Sequence, residues 1–251
     1  MNKIKIIFLG TNGWYDSDTG STICTLIDAK DHYILLDAGN GIYKADKYID
    51  KKKPVYLFLS HFHIDHIEGL HILEKFSDTF KSLKIFGQPG TARIIDYFLG
   101  DKFSIPLSRL RFKTKIIELK QGFHKVPFNV QCLKLLHSST CYGYRLEIGD
   151  KVISYCTDTG YCANAIKLAK NADLLISECS FKSGQVNSDW PHLNPELAAR
   201  LAKEAAVKQM YLTHFDANIY KSIKMRAQAK ISSKRIFNNT VAAKDMMMVC
   251  L

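Results

Sequence analysis

Apolar residues recur along the chain with two spacings, one typical of strands and one typical of helices. The predicted elements, in chain order, are strands over 3–10, 21–28, 33–37 and 55–60, helices over 67–76 and 91–99, strands over 109–119, 128–136, 143–148 and 151–156, a helix over 163–169, a strand over 174–178, a helix over 195–206, a strand over 209–213 and a helix over 217–229. The strand over 55–60 is continuously apolar, which indicates burial on both faces. This alternation predicts an α/β fold in which two sheets are covered by outer helices.

Length and composition predict one globular domain that spans residues 1–251. The chain is 47% hydrophobic and 24% charged, and no stretch rich in Gly, Pro or Ser divides it. No apolar run approaches the roughly 20 residues that a membrane span needs, and the first ten residues read as a strand rather than a signal peptide. We therefore expect a soluble, cytoplasmic protein without a membrane partner.

The net charge and the cysteine content indicate which partners and which kinds of structural site to expect. The formal net charge is +11, which favours anionic partners such as phosphate esters or nucleic acid. Seven basic residues and no acidic residue lie between positions 217 and 244, namely Lys221, Lys224, Arg226, Lys230, Lys234, Arg235 and Lys244. The seven cysteines include no Cys-x-x-Cys pair, which argues against a disulfide framework and a structural zinc knuckle.

A dense group of histidines begins where the strand over 55–60 ends. His61 and His63 stand two residues apart, so extended backbone directs both side chains the same way, and Asp65 and His66 follow as the chain turns into a helix. Three imidazoles and one carboxylate should therefore converge. Nitrogen and oxygen donors in this arrangement suit zinc, iron or manganese.

Three further polar residues follow apolar strands, where sites gather in α/β folds. They are His137 in Leu-His-Ser-Ser, Asp158 in Thr-Asp-Thr-Gly and His214 in Thr-His-Phe. Each alone is equally well explained as a core histidine or a helix cap. Together with the first motif, they complete two metal sites.

Because of these motifs, the sequence resembles the metallo-β-lactamase superfamily. The family pattern runs Asp, His-x-His-x-Asp-His, His, Asp, His, and all five pieces are present between Asp37 and His214. The resemblance implies a four-layer αβ/βα sandwich with a dinuclear centre. It also implies that His61, His63 and His137 hold one divalent ion, that Asp65, His66 and His214 hold the other, and that Asp158 bridges the two. Zinc is the expected metal, with manganese or iron as alternatives, and Asp37 matches a carboxylate that steadies the ligand loop.

Three features favour phosphodiester hydrolysis within this superfamily. The bridging position is Asp158 rather than cysteine, and the opening Gly10-Thr11-Asn12-Gly13 is similar to the Gly-Thr-x-Gly start of the ribonuclease Z-like branch. The third feature is Glu178, at a strand end, followed by His192 before a helix. In that branch the two form a proton-handling pair, which a phosphodiester needs because its alkoxide leaving group must be protonated.

The resemblance to ribonuclease Z itself is weaker. That enzyme carries a long arm for transfer RNA between the third and fourth ligand motifs, whereas only 20 residues lie between His137 and Asp158 here. The sequence is more similar to the compact phosphodiesterases of the branch, although the Cys-rich zinc site of one of them is missing. We expect a small nucleotide or cyclic phosphate as substrate, with RNA as the alternative. The resemblance also favours a homodimer.

The expected mechanism is hydrolysis by a hydroxide held between two metals. This hydroxide would attack phosphorus in line while His192, backed by Glu178, protonates the leaving oxygen, with Asp65 in the catalytic centre. Ser138 and Ser139 are candidate hydroxyl donors to the phosphate. Trp14 and Tyr15, after the glycine turn, are candidates either to stack on a base or to pack in the core or in a lid.

Three other functions stay open at this point. The first is an endoribonuclease of the transfer RNA 3′-processing type. The second is a thioester or acyl hydrolase of the glyoxalase type, which shares the same ligand set. The third, a nucleic-acid-binding adaptor without activity, is disfavoured because every ligand position is occupied.

Overall fold

The computed structural model describes residues 4–251, which divide into two compact units. Unit 1 contains residues 4–10, 21–120 and 245–251, and unit 2 contains residues 11–20 and 121–244. Lys3, where the first predicted strand begins, lies outside the described residues. Each unit is built on one seven-stranded mixed sheet.

The elements alternate between strands and helices along the chain. The strands are β1 (Lys5–Gly10), β2 (Asn12–Gly13), β3 (Cys24–Asp28), β4 (Tyr33–Leu36), β5 (Pro54–Phe58), β6 (Ser82–Gly87), β7 (Lys113–Glu118), β8 (Gly122–Lys125), β9 (Asn129–Lys134), β10 (Tyr142–Ile148), β11 (Lys151–Cys156), β12 (Leu174–Glu178), β13 (Met210–Thr213), β14 (Phe215–Asp216), β15 (Thr240–Ala242) and β16 (Met247–Cys250). The helices are α1 (Ile64–Ile67), α2 (Thr91–Phe98), α3 (Ala163–Ala169), α4 (Pro195–Glu204) and α5 (Ile223–Lys234), with 3-10 helices at Asn40–Lys47, Glu68–Phe76 and Leu107–Arg109.

The sheet of unit 1 has the strand order β16-β1-β3-β4-β5-β6-β7. The strands are antiparallel from β16 to β4 and parallel from β4 to β7. β4 and the last four residues of β5 are entirely buried, because parallel strands covered on both faces carry continuous apolar side chains. These buried strands fix the position of Asp37, which follows β4, and of His61, which follows β5.

The sheet of unit 2 has the strand order β15-β13-β12-β11-β10-β9-β8. Its strands are antiparallel from β8 to β11 and parallel from β11 to β15. α3 packs on β9, β10 and β11, and α4 packs on β12, β13 and α5. A separate parallel pair, β2 with β14, joins residues 11–20 to the chain just after His214.

The predicted fold class is confirmed, since both mixed sheets are flanked by helices. The bounds predicted for β11, α3 and β12 match the structure. The single-domain organisation stays a prediction. Within residues 4–251, no helix has both the length and the apolar character needed to cross a bilayer.

Three predictions about the C-terminal third of the chain were wrong in detail. The last helix begins at Ile223 rather than at 217, because the Ser222 hydroxyl caps it by accepting from the Met225 N–H. Arg226 is buried and is not part of a basic surface, whereas Lys221 and Lys224 are exposed. The apolar run Met246-Met247-Met248 predicts a final buried strand, but Met247 and Met248 lie in β16 at a sheet edge with alternate residues exposed.

Candidate metal centre

In unit 1, four of the predicted metal ligands lie within the six residues 61–66, shortly after the end of β5. The rings of His61 and His63 lie with their centroids 4.5 Å apart, and those of His61 and His66 lie 4.2 Å apart. His61 and His66 are fully buried, and Asp65 is 8% exposed. The structure therefore brings the His-x-His-x-Asp-His motif together as the spacing predicts.

Asp37 and Ser60 determine which nitrogen of each ring can bind a metal. Asp37 Oδ2 accepts from the Ser60 hydroxyl at 2.8 Å and from His66 Nδ1 at 2.7 Å, and Oδ1 accepts from the Ser60 N–H at 2.7 Å. Because the Ser60 hydroxyl gives its one proton to Asp37, it must accept from His61 Nδ1, 3.0 Å away. Both rings thus carry their proton on Nδ1, which leaves Nε2 of His61 and of His66 as electron-pair donors.

Gly39 lets the Asp37 loop approach the ligand turn. A Cβ on Gly39 would lie 2.3 Å from the Asp65 carbonyl oxygen, so no other residue fits there without displacing that backbone. In the same loop, the Ala38 N–H donates to the His66 carbonyl at 2.8 Å. This contact explains why glycine follows the Leu36-Asp37-Ala38 segment.

In unit 2, Asp158, His137 and His214 come together from the ends of three strands. Asp158 is 3% exposed and turns one carboxylate oxygen toward each histidine. Its Oδ1 lies 3.2 Å from His214 Nε2, and its Oδ2 lies 3.9 Å from His137 Nε2. A carboxylate that presents separate oxygens to two imidazoles has the geometry of a bridging ligand.

Ser180 fixes the proton of His214 as Ser60 fixes that of His61. Its hydroxyl lies 3.0 Å from the His214 carbonyl oxygen and 2.9 Å from His214 Nδ1. A hydroxyl has one proton, so it donates to the carbonyl and accepts from the Nδ1–H. In the neutral ring, His214 Nε2 then carries a lone pair, and this lone pair faces Asp158.

The donor set fits divalent metal ions. His214 Nε2 with Asp158 Oδ1, and His66 Nε2 with Asp65 Oδ2 at 3.6 Å, are buried pairs in which two electron-pair donors face each other. With neutral imidazole rings such pairs repel unless a metal cation lies beside both atoms, and otherwise they need a second proton on the ring. Tetrahedral coordination with bonds of about 2.1 Å separates neighbouring ligand atoms by about 3.4 Å, which is close to both distances.

Glu178 and His192 form a buried pair within unit 2. Glu178 is fully buried, and its Oε1 accepts from His192 Nδ1 at 2.7 Å. The same carboxylate accepts from the Thr159 N–H at 2.6 Å and from the Ser180 N–H at 3.1 Å. Burial by itself lowers the pKa of His192, but the Glu178 carboxylate, together with Asp158 and Asp216, outweighs it and raises this pKa to about 9. His192 stacks over His214 with ring centroids 6.1 Å apart.

The loop over residues 11–20 packs directly against His214. A Cβ on Gly13 would lie 2.4 Å from His214 Cε1, so glycine is required for this approach. Buried Arg226 holds the loop by donating to Thr11 Oγ1 at 2.8 Å, to Asn12 Oδ1 and to Thr19 Oγ1 at 3.0 Å.

For Ser138, Ser139 and Trp14, the structure gives their exposure to solvent but does not assign a role. Ser138 is exposed, and the buried Ser139 hydroxyl makes no hydrogen bond to the described residues, so their roles stay predictions. Trp14 is 65% exposed, which excludes the core-packing alternative.

Several residues that shape the clusters were missed by the sequence analysis. Ser60 and Ser180 carried a usable signal, since Ser60 directly precedes His61 and Ser180 lies two residues after Glu178. The internal role of Arg226 carried no such signal.

Clusters of histidine and aspartate at the strand ends of two mixed, helix-flanked sheets define a metal-dependent hydrolase. The chain belongs to the beta-lactamase superfamily, because the family model described as "Beta-lactamase superfamily domain" matches residues 32–215.

Known proteins similar to this chain include a probable metallo-hydrolase, ribonuclease Z and a diphosphatase. It is 29% identical to the probable metallo-hydrolase YhfI of Bacillus subtilis (strain 168), over 84% of this chain and 86% of that protein. The crystal structure of YhfI has a TM-score of 0.83 at 26% identity and covers 100% of both chains. Ribonuclease Z of Enterococcus faecalis (strain ATCC 700802 / V583) is 28% identical over 97% of this chain and 96% of its own length. A diphosphatase of the PhnP family shares the fold, with a TM-score of 0.73 at 14% identity over 100% of this chain and 98% of that one.

Proposed function

We propose that this metallo-hydrolase is a dinuclear phosphodiesterase that acts on a small nucleotide or cyclic phosphodiester. In this proposal His61, His63 and His137 hold one ion, Asp65, His66 and His214 hold the other, and Asp158 bridges them. The order of these motifs along the chain, which resembles the superfamily pattern, supports the assignment. The Nδ1–H protonation of His61, His66 and His214 supports it independently, because it leaves Nε2 as the ligand atom in all three. Zinc suits this set of nitrogen and oxygen donors.

The buried Glu178–His192 pair is the main observation that supports phosphodiester hydrolysis as the reaction. An alkoxide leaves phosphorus only if it receives a proton, so the enzyme needs a protonated group beside the reacting centre. His192 meets this need, because the Glu178 carboxylate 2.7 Å from Nδ1 stabilises the imidazolium form. Two backbone N–H groups also hold Glu178, so the pair is fixed before substrate arrives.

Each residue has a distinct part in the proposed reaction. When bound, divalent ions supply Lewis acidity toward the phosphoryl oxygens and an activated water. Asp37, Ser60 and Ser180 keep the ligand rings in one orientation. Glu178 keeps His192 protonated, and His192 Nε2–H gives its proton to the leaving oxygen.

The relatives named ribonuclease Z favour one alternative, an endoribonuclease that processes transfer RNA. The alignment to the Enterococcus faecalis enzyme extends over 309 positions, so that relative has insertions that this 251-residue chain lacks. In this chain, β10 and β11 form a plain hairpin that pairs Ile148 with Lys151, and no long arm interrupts the segment from His137 to Asp158. We therefore favour small substrates over folded RNA in the proposed function. We also propose a homodimer, which light scattering in solution tests.

A panel of substrates tests the proposed function. Zinc-, manganese- and iron-loaded protein is assayed with a nitrophenyl phosphodiester, a cyclic nucleotide, a dinucleoside phosphate, a thioester and precursor transfer RNA. We expect turnover of the small phosphodiesters. Thioester hydrolysis without phosphodiester hydrolysis would move the function to the acyl hydrolases, and efficient site-specific RNA cleavage would restore the ribonuclease alternative.

Leaving-group dependence tests the role of His192. His192→Ala should lower kcat on a diester with an alkoxide leaving group by roughly 10²–10⁴-fold, and far less with a nitrophenolate, which needs no proton. His71→Ala, at an exposed histidine, is the matched control and should change neither rate. Equal losses on both substrates would show that His192 binds phosphate rather than donating the proton.

A further inference from the structure

Unit 2 carries a large aromatic side chain at the edge of its histidine cluster. Trp190 is 47% exposed, although tryptophan is a costly side chain to leave in water. Its ring centroid lies 5.7 Å from that of His137 at an angle of 68°, and 6.2 Å from that of His192 at 48°. The indole therefore stands beside the proposed proton donor and beside a proposed metal ligand at the same time.

The surroundings of Trp190 form an apolar rim that is held in place. Pro191 and Leu136 flank Gly160, since a Cβ on Gly160 would lie 3.0 Å from Pro191 Cβ and 3.0 Å from Leu136 Cδ2. The Gly160 N–H donates to the Leu136 carbonyl at 2.7 Å, which ties this rim to the segment that carries His137. Leu136 is itself half-exposed. The rim thus offers a flat aromatic ring and an aliphatic neighbour beside a cluster of charged and polar groups.

We propose that Trp190 is a specificity-determining residue that stacks on the base of the leaving nucleoside. This inference rests on the proposed function, and it goes further by naming the chemical class of the leaving alcohol. Since His192 protonates the leaving oxygen and lies next to Trp190, a flat group on that indole belongs to the departing half of the diester. Stacking on an aromatic side chain is tolerant of base identity, so the subsite selects nucleosides over small alcohols without selecting one base.

Trp190 is better placed for this role than the other tryptophan. Trp14 is also exposed, and its ring forms an edge-to-face pair with Tyr15 at 5.3 Å. Trp190 instead contacts two imidazoles of the site within unit 2.

A kinetic comparison of two diesters tests the proposal in the metal-loaded enzyme. One substrate is a dinucleoside phosphate, and the other is the corresponding nucleoside methyl phosphate, so the leaving alcohol is a nucleoside in the first and methanol in the second. Trp190→Ala should raise KM for the dinucleoside phosphate about tenfold and leave KM for the methyl ester within twofold. Trp190→Phe, which keeps a ring, should restore most of the loss. Phe123→Ala removes an exposed aromatic residue elsewhere in unit 2 and should change neither value.

Fluorescence gives a second readout that does not need turnover. The chain has two tryptophans, so Trp14→Phe leaves Trp190 as the sole indole. Adenosine monophosphate should quench its emission saturably, and ribose 5-phosphate should not.

The outcomes separate the two proposals. Equal KM changes on both diesters, or quenching by ribose 5-phosphate to the same extent, would overturn the stacking role and leave Trp190 as a cover over the histidines. If wild-type enzyme hydrolyses neither diester, the proposed function fails, while the quenching experiment still decides whether the subsite accepts a base.

Discussion

Replacing Arg226 should destabilise the fold strongly, although the residue lies in a segment that reads as a basic surface. The side chain is 1% exposed, and its guanidinium donates to Thr11, Asn12 and Thr19. The guanidinium carbon also lies 4.7 Å from the centre of the Phe215 ring, in cation–π geometry. Arg226→Ala removes all of these interactions and leaves a cavity beside buried polar groups.

The magnitude follows from the number of lost partners. A hydrogen bond from a charged donor contributes about 1.5–3 kcal/mol, and Thr19 and Asn12 keep part of their bonding because the Thr19 hydroxyl also donates to Asn12 Oδ1. Including the cavity, we expect Arg226→Ala to lower the free energy of unfolding by about 3–5 kcal/mol. Lys224→Ala, at an exposed position of the same helix, should change it by less than about 0.5 kcal/mol.

Urea unfolding of metal-free protein measures both variants. A double-mutant cycle with Thr11→Val should then give a coupling energy of about 0.5–3 kcal/mol, since the two side chains are in direct contact. If Arg226→Ala costs no more than Lys224→Ala, or if the coupling is zero, the residue does not hold the loop over 11–20. The description of this loop as fixed against His214 would then be wrong.

Three further predictions concern the metal centre and the thiols. Asp158→Ala should empty at least one metal site, so elemental analysis should show about one equivalent fewer than in the wild type; a full complement would remove the bridging assignment. Gly13→Ala should weaken zinc binding in a competition with a chromophoric chelator, because the new methyl group displaces the His214 ring, and unchanged affinity would show that the ring is free to move. Iodoacetamide should alkylate exposed Cys250 well before Cys156, because burial raises the pKa of Cys156 to about 12; mass spectrometry that finds equal rates would contradict the burial.

The sequence predicted those elements whose pattern is local. β11 and β12 carry unbroken runs with a clear turn before or after them, and their bounds agree with the structure. The stretch over 67–76 was predicted as one helix but consists of the end of α1 and a 3-10 helix, because both forms place apolar residues at nearly the same spacing. β6 and β8 were missed, since their lysine-containing sequences resemble surface loops.

The candidate site was predictable for the same reason, and only in part. Ligand motifs at strand ends are short and local, whereas the partners of the His66 and His214 Nδ1 atoms, Asp37 and Ser180, lie 29 and 34 positions away in the chain. Arg226 and Trp190 depend on contacts between residues far apart in the chain. Arg226 bonds a loop more than 200 positions earlier, and a pattern of charge along the sequence cannot distinguish that internal role from exposure to solvent.

Three of the proposed functional residues have backbones in a conformation that disfavours them. Asp37, Asp158 and His214 have φ angles of 56°, 48° and 49°, in the left-handed region where a side chain costs about 1 kcal/mol relative to glycine. Glycine at any of the three would relax the backbone while deleting a donor or its support. Selection for heat resistance alone would therefore reward glycine at these three positions as well, and a thermostability programme on this scaffold needs an activity screen in every round.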